Sequence, residues 1–453
     1  MKDSDTSYTP GRAARFYAPL FIQAFSQCLT YPLVAAIVNH GVLGADALTG
    51  FAQGQTILFM IGSLAGGLVM TGMVFARSVK GYRAFVRLNT LMTVVLTALG
   101  IVLALPPIGP WIYGELLNLP PELADVACQT LLWGAFMQVG FFVRNVPFVA
   151  LMNARRSFEA NLATLVRVLV TALTPLVFLP LGWKGPGWGL LAQTVPIWME
   201  TALSWHFARD LIRNLPEKDP TLAAEHRHTK YYDESPSVAL RTFGQFKFTV
   251  PLSFGYFLLA ASPLFIAAFV GHAADHVKML SIHYMTIGIF NPIGFGALRM
   301  QSVQIQFPPE YPGDRRLLKF AACAGGLLSL CVLPLALPSV GGWYFSHCQN
   351  LADAYVPTAC TAMLVYSVLP VLQCLRGRAE GLAAWLKRPG SVLHGQLAFT
   401  GTLVLMLTVT LHLGVPGWLM AVLSLFTAIF SCYVTVTVST HFAGARLRSG
   451  GVR

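Results

Sequence analysis

The sequence predicts an all-α membrane protein of about twelve transmembrane helices, arranged as two parallel six-helix repeats. Three observations carry that expectation. The 453 residues are 55% hydrophobic and only 11% charged, with a mean hydropathy of +0.61. Soluble domains carry roughly 25% charged residues, so lipid must cover most of this surface. Apolar runs of about 20 residues, long enough to cross a bilayer, recur along the whole chain. The chain also matches itself at a shift of 232 residues.

Taken in order, the helices read at 14–39, 48–76, 84–106, 123–153, 159–182 and 188–212, then at 243–271, 279–307, 317–344, 355–386, 389–413 and 416–441. Met1 to Arg15 is polar. The apolar stretch behind it has full spanning length and no small-residue cleavage site, so the first helix is expected to act as the insertion signal and to stay. Between helices three and four, PPIGPWIYGELLNLPPELAD reads as an external interfacial segment with aromatic anchors. Asn214 to Leu240 is the only long polar stretch and reads as a cytoplasmic linker. The expected domains are therefore a six-helix lobe at 1–213, a linker at 214–240 and a second lobe at 241–453.

The repeat rests on residues that chance does not match cheaply. Phe16 meets Phe248, Pro19-Leu20 meets Pro251-Leu252, His40 meets His272, and Ile61-Gly62 meets Ile293-Gly294. Phe75 meets Phe307, Arg144 meets Arg376, Arg155-Arg156 meets Lys387-Arg388, and Leu181-Gly182 meets Leu413-Gly414. Six helices per half means that both halves start on the same side. Parallel repeats with a binding site near the midplane are a recurring transporter design.

The net charge of +12 raises the question of a nucleic-acid partner. Most of the 31 Lys and Arg fall in alternate loops and at both termini, while Glu115, Glu122 and Asp125 occupy the other set of loops. That is the positive-inside pattern. It places both termini in the cytoplasm, with the chain in a bacterial inner membrane and no nucleic acid bound. The eight cysteines lie singly, without Cys-x-x-Cys pairs or zinc spacing, and read as small packing residues. No metal or cofactor is expected. There is no P-loop, no nucleophile elbow and no His-Glu-x-x-His, and catalytic His, Asp or Glu do not cluster at one face. An embedded enzyme or an assembly subunit is thus the weaker class.

Charges inside spans are costly, by about 2.5–3.5 kcal/mol each on insertion scales, and need a reason. Arg144 and Arg376 each lie eleven residues before a basic turn, so about 16 Å deep on the fourth helix of each half. Arg299 and Arg167 reach about 13 Å. Guanidinium is always charged, and its forked donors suit carboxylate and phosphate. A cavity lined by Arg144, Arg299, Arg376 and Arg167 would attract an anion. The alternative is that these arginines pair with the two intramembrane acids, Glu200 and Glu380. Glu200, the deepest acid, is either a proton carrier, since desolvation favours the neutral carboxyl, or the partner of an arginine; Glu380 is the second proton-coupling candidate. Gln23 and Gln27 share a face of helix one and either meet substrate or bond a neighbouring helix. Prolines within spans, Pro19, Pro147 and Pro292 among them, bend helices. Gly62 to Gly66 reads as a small-residue packing surface.

Several short motifs carry a family resemblance. The turns LGWKGPGWGLL and LGVPGWLMAVL before the last helix of each half, and ARRSFEANLATLVRV after helix four, resemble the MATE-like (MOP) flippase superfamily. Within it the chain looks most like the progressive-ankylosis (ANK) branch. The residues carrying that are Arg155 to Phe158, the run from Leu375-Arg376 to Lys387-Arg388, and FNPIGFGALRMQSVQIQF on helix eight. The resemblance implies two lobes in a V, alternating access, and export of an anion such as pyrophosphate, a nucleotide or citrate. A flippase for a lipid-linked sugar, its diphosphate held by the same arginines, is the alternative. One departure matters: cation-coupled members carry a carboxylate on helix one, where this chain has only Gln23 and Gln27.

Overall fold

The computed structural model describes residues 8–27, 30–43, 46–117, 119–218, 241–273, 276–311, 313–348, 351 and 353–449. The chain is 85% helical, and there is no strand among the described residues. In lipid no water pairs the backbone, so each span must satisfy its own N–H and C=O groups, and the helix does so. The first half contains α1 (Pro10–Gln27), α2 (Thr30–Asn39), α3 (Asp46–Ser63), α4 (Gly66–Phe75), α5 (Val79–Ala104), α6 (Pro121–Asn153), α7 (Ser157–Phe178) and α8 (Pro186–Arg213). The second contains α9 (Thr242–Val270), α10 (His276–Leu298), α11 (Met300–Gln306), α12 (Arg316–Val332), α13 (Val356–Tyr366), α14 (Leu369–Trp385), α15 (Pro389–His412) and α16 (Gly417–Ser449).

Helix starts follow local chemistry. The Ser78 hydroxyl accepts from the Gly81 N–H at the start of α5. Pro121, Pro186 and Pro389 open α6, α8 and α15, where a missing N–H costs nothing. Nine stretches among the described residues are long and apolar enough to span. The other three expected spans are helical too: α1 with α2, α8, and α10 with α11. Inward-facing polar groups such as Gln193, Glu200 and Ser204 on α8 lower its hydropathy. With these three spans added, the described helices account for all twelve expected spans.

The repeat extends to the backbone. Arg155 and Lys387 both adopt the left-handed conformation, at φ 58° and 56°, and so do Gly182 and Gly414, at 75° and 66°. Each pair is separated by 232 residues. The matched phenylalanines form the same edge-to-face pair twice, Phe16 on Phe307 at 6.0 Å and Phe248 on Phe75 at 4.9 Å. Helix two breaks between α3 and α4, and helix eight between α10 and α11, within a few residues of the same register. The Gly62–Gly66 stretch falls at the first of these breaks, where a Cβ at Gly62 would meet the Gln138 side chain only at 3.4 Å. The close approach is made instead by Gly50 and Gly54 on α3. A Cβ there would lie 2.5 Å from the Leu123 carbonyl and 2.6 Å from the Ala127 carbonyl of α6.

The chain forms two compact units. Among the described residues, the N-terminal unit takes 26–218 together with 241–253, and the C-terminal unit takes 8–25 together with 254–449. The opening stretch of the first helix of each half thus belongs with the other half. In the C-terminal unit the Tyr17 hydroxyl donates to the Gly296 carbonyl at 3.2 Å. In the N-terminal unit the Thr71 and Thr249 hydroxyls bond at 2.7 Å, and the Gln245 amide donates to the Gly81 carbonyl at 3.0 Å. Each unit is built round its fourth long helix. In the N-terminal unit α6 packs on α3, α5 and α8; in the C-terminal unit α14 packs on α11, α12 and α16.

Candidate functional site

On α7 the usual amphipathic pattern is inverted. Leu162, Leu165, Leu169, Leu173 and Leu176 form an exposed stripe, suited to lipid, while Asn161, Thr164, Arg167 and Thr171 are buried. Both stripes have the spacing of a single helix face. This inversion carries Thr164 and Arg167, three residues apart, into the N-terminal unit toward α8 and α6.

There they meet Glu200. Its Oε1 accepts from Arg144 Nη1 at 2.9 Å and from the Thr164 hydroxyl, and its Oε2 lies 3.1 Å from Arg167 Nη1. Side-chain exposure is 13% for Arg144, 4% for Arg167 and 1% for Glu200. The Phe141 ring lies beneath both guanidiniums, at 5.1 Å from Arg144 and 5.6 Å from Arg167, and Phe148 also faces Arg144. Two cations therefore share one carboxylate in the unit's interior. Nε of Arg144 and Nε of Arg167 are buried without a hydrogen-bond partner among the described residues.

The C-terminal unit solves the same problem differently. Arg376 Nε donates to Glu380 Oε1 at 2.8 Å, one turn along α14. Gln396 closes the pair, accepting from Arg376 Nη2 at 3.0 Å and donating to Glu380 Oε1 at 2.8 Å. Gln301 also donates to Glu380 and accepts from the Tyr256 hydroxyl at 2.9 Å. Both Arg376 and Glu380 are 1% exposed. Arg376 further sits over Phe399 at 5.3 Å.

The repeat explains the contrast. Arg376 corresponds to Arg144 and Gln396 to Thr164, but Glu200 corresponds to Cys432, and Glu380 to Phe148. One half takes its carboxylate from the sixth helix and the other from the fourth, so the pair is kept while its ligands move. The position of Arg167 is Phe399 in the second half, which removes the second cation there.

Of the residues singled out in the sequence, the structure brings Arg144, Arg167 and Glu200 together in one unit, and Arg376 with Glu380 in the other. All three arginines are paired with the two intramembrane acids, Arg144 and Arg167 sharing Glu200 and Arg376 taking Glu380 one turn away. Arg299 precedes α11 in the C-terminal unit, within electrostatic reach of Tyr256. Gln23 is buried, and the Gln27 side chain lies outside the described residues. Thr164, Gln396, Gln301 and Tyr256 were not anticipated. The 232-residue shift does place Thr164 on Gln396, which is a usable signal. No group of His, Cys, Asp and Glu suited to a metal ion is found among the described residues.

No protein-family model and no curated protein matches the sequence. Solved structures do match the fold. A MATE transporter mutant from Vibrio cholerae aligns at a TM-score of 0.69 and 11% identity, covering 95% of this chain and 97% of that one. An outward-facing multidrug-resistance MATE family transporter of the MOP superfamily aligns at 0.70 and 16%, covering 97% of each. A MOP superfamily transporter from Pyrococcus furiosus, described as having a binding pocket of reverse polarity, aligns at 0.66 and 15%, covering 97% and 96%. The chain therefore has the MATE fold. The structures it matches in fold are described as MATE transporters or as transporters of the MOP superfamily.

Proposed function

We propose that the protein is a secondary transporter that exports an organic or phosphorylated anion by alternating access. The observation carrying this is the charge count of the cluster in the N-terminal unit: two guanidiniums, Arg167 buried and Arg144 part-buried, against the one buried carboxylate of Glu200. An uncompensated cation in a low-dielectric interior is expensive, and an anionic cargo offsets it. The unpaired Nε donors of Arg144 and Arg167 supply directed hydrogen bonds to such a cargo. Arg144, the most exposed of the three, is its point of first contact, whereas Arg376 is closed on Glu380 and Gln396 and acts as a structural pair. The reading agrees with the resemblance to the ANK branch and with the absence of an acid at Gln23 and Gln27, where cation-coupled relatives carry one. The protein resides in the bacterial inner membrane with both termini cytoplasmic.

The test is efflux of pyrophosphate and of citrate from proteoliposomes, wild type against Arg144→Ala. Efflux of either anion that Arg144→Ala abolishes supports the proposal. Unchanged efflux in the variant would sink the role of Arg144. Movement of a lipid-linked diphosphate sugar, with neither free anion transported, would favour the flippase alternative.

A further inference from the structure

We infer that the Arg144–Arg167–Glu200 cluster accepts one net negative charge, so that a monoanion binds alone whereas a dianion binds together with one proton on Glu200. The inference rests on the anion reading and adds to it a charge class and a coupling ion; of multiply charged anions such as pyrophosphate or citrate, the cluster takes the protonated, dianionic forms.

Arg144 and Arg167 contribute two positive charges and Glu200 one negative, leaving the cluster at plus one. Buried charge is tolerated when it is paired and hydrogen-bonded, and costly otherwise. A monoanion brings the cluster to neutrality with Glu200 ionised. A dianion would leave it at minus one, among residues that are nearly all buried. Neutrality then returns if the Glu200 carboxylate takes up a proton from solvent.

The geometry allows that exchange. Glu200 Oε1 accepts from Arg144 Nη1 of α6 and from the Thr164 hydroxyl of α7, while its Oε2 is ion-paired with Arg167 Nη1 of α7 at 3.1 Å and accepts no hydrogen bond among the described residues. The same two guanidiniums would hold the incoming anion. A dianion therefore competes with Glu200 for its donors, and a carboxylate that loses its counter-charges in a buried site becomes a proton acceptor. Among the described residues, Arg144 and Arg167 are the charged groups acting on Glu200. Of the other helices packed on α8, α3 brings the neutral Gln55, whose amide donates to Gln193. The C-terminal cluster lacks this freedom, because one arginine balances one carboxylate and Gln396 bridges both.

By linkage, an anion that promotes proton uptake binds more tightly as pH falls, and the two effects are reciprocal. The experiment uses the full chain in detergent and two probes that never titrate themselves, methanesulfonate and 1,2-ethanedisulfonate. Calorimetry in buffers of different ionisation enthalpy counts the protons taken up on binding. The expected result is about one proton per disulfonate and about none per methanesulfonate, with disulfonate affinity falling about tenfold per pH unit. This needs no variant, so misfolding does not obscure it. Glu200→Gln is then expected to bind disulfonate without proton uptake. Arg167→Gln, which leaves the cluster neutral at rest, should weaken both probes on the order of 10–100-fold. Equal proton counts for the two probes, or undiminished proton uptake in Glu200→Gln, would overturn the inference while leaving anion transport standing. Failure of both probes to bind, with no anion transported, would overturn both.

Discussion

Replacing Glu380 by glutamine keeps the side chain's shape but removes its charge, and the surroundings set the cost. Arg376 would keep its contact with the Gln396 carbonyl at 3.0 Å and with the Phe399 ring at 5.3 Å, but its guanidinium would be buried without a counter-ion. The new amide N–H2 would also face the Gln396 and Gln301 amides, which now donate to the carboxylate. Breaking a buried pair by removing one partner costs about 3–5 kcal/mol, whereas replacing both partners by neutral groups is often close to neutral. For a unit of about 200 residues, that single-variant cost corresponds to a fall in melting temperature of roughly 6–20 °C. The charge-free double variant Arg376→Leu/Glu380→Gln should recover most of it. Thermal unfolding of the detergent-purified protein measures the order: wild type and double variant high, Glu380→Gln low. A double variant that melts at or below the single would refute the closed-pair description, since it would mean that the two changes add instead of cancelling.

Two other expectations concern packing and loop electrostatics. A Cβ at Gly72 would lie 2.7 and 2.8 Å from the Val149 methyls, so Gly72→Ala should cost about 1–3 kcal/mol, and adding Val149→Ala should recover part of it in the same melting assay. Asp314, between α11 and α12, accepts two hydrogen bonds from the Arg316 side chain at 2.8 and 3.0 Å, which hold its carboxyl down at about 2. A depressed carboxyl contributes stability above its unfolded value of about 3.9 and loses it as pH falls toward 2. The melting difference between wild type and Asp314→Asn should therefore be constant above about pH 4 and shrink toward zero near pH 2.

Much of this architecture is legible in the sequence because lipid imposes a simple rule: apolar runs of spanning length become helices. The repeat, too, was readable, and its matched residues prove to share backbone conformations and contacts, as Phe16 on Phe307 and Phe248 on Phe75 do. Less legible were the tight crossings. Gly62 and Gly66 have the spacing of a packing motif, but the helix breaks there, and the crossing falls at Gly50 and Gly54. At Gly72 and Gly381 the same crossing is made with glycine on opposite sides. Gly72 meets Val149, while Gly381, the counterpart of Val149, meets Gln304, the counterpart of Gly72.

The site was legible in its ingredients and not in its pairing. Depth marked Arg144 and Arg376, and the four-residue spacing to Glu380 offered Arg376 a partner on its own helix. That Glu200 would serve two arginines depends on how α8 packs against α6 and α7, which single-sequence spacing does not encode. The buried face of α7 holds the clue: Asn161, Thr164, Arg167 and Thr171 line one side of a helix whose leucines face outward.

Anion efflux from proteoliposomes, compared between Arg144→Ala and the charge-free double variant Arg376→Leu/Glu380→Gln, addresses the central claim most directly. Arg144→Ala should reduce efflux of the transported anion on the order of 10–100-fold, as loss of a charge-assisted contact implies. The double variant should transport at close to the wild-type rate. Efflux that survives Arg144→Ala but is lost in the double variant would contradict the account and place the anion at Arg376.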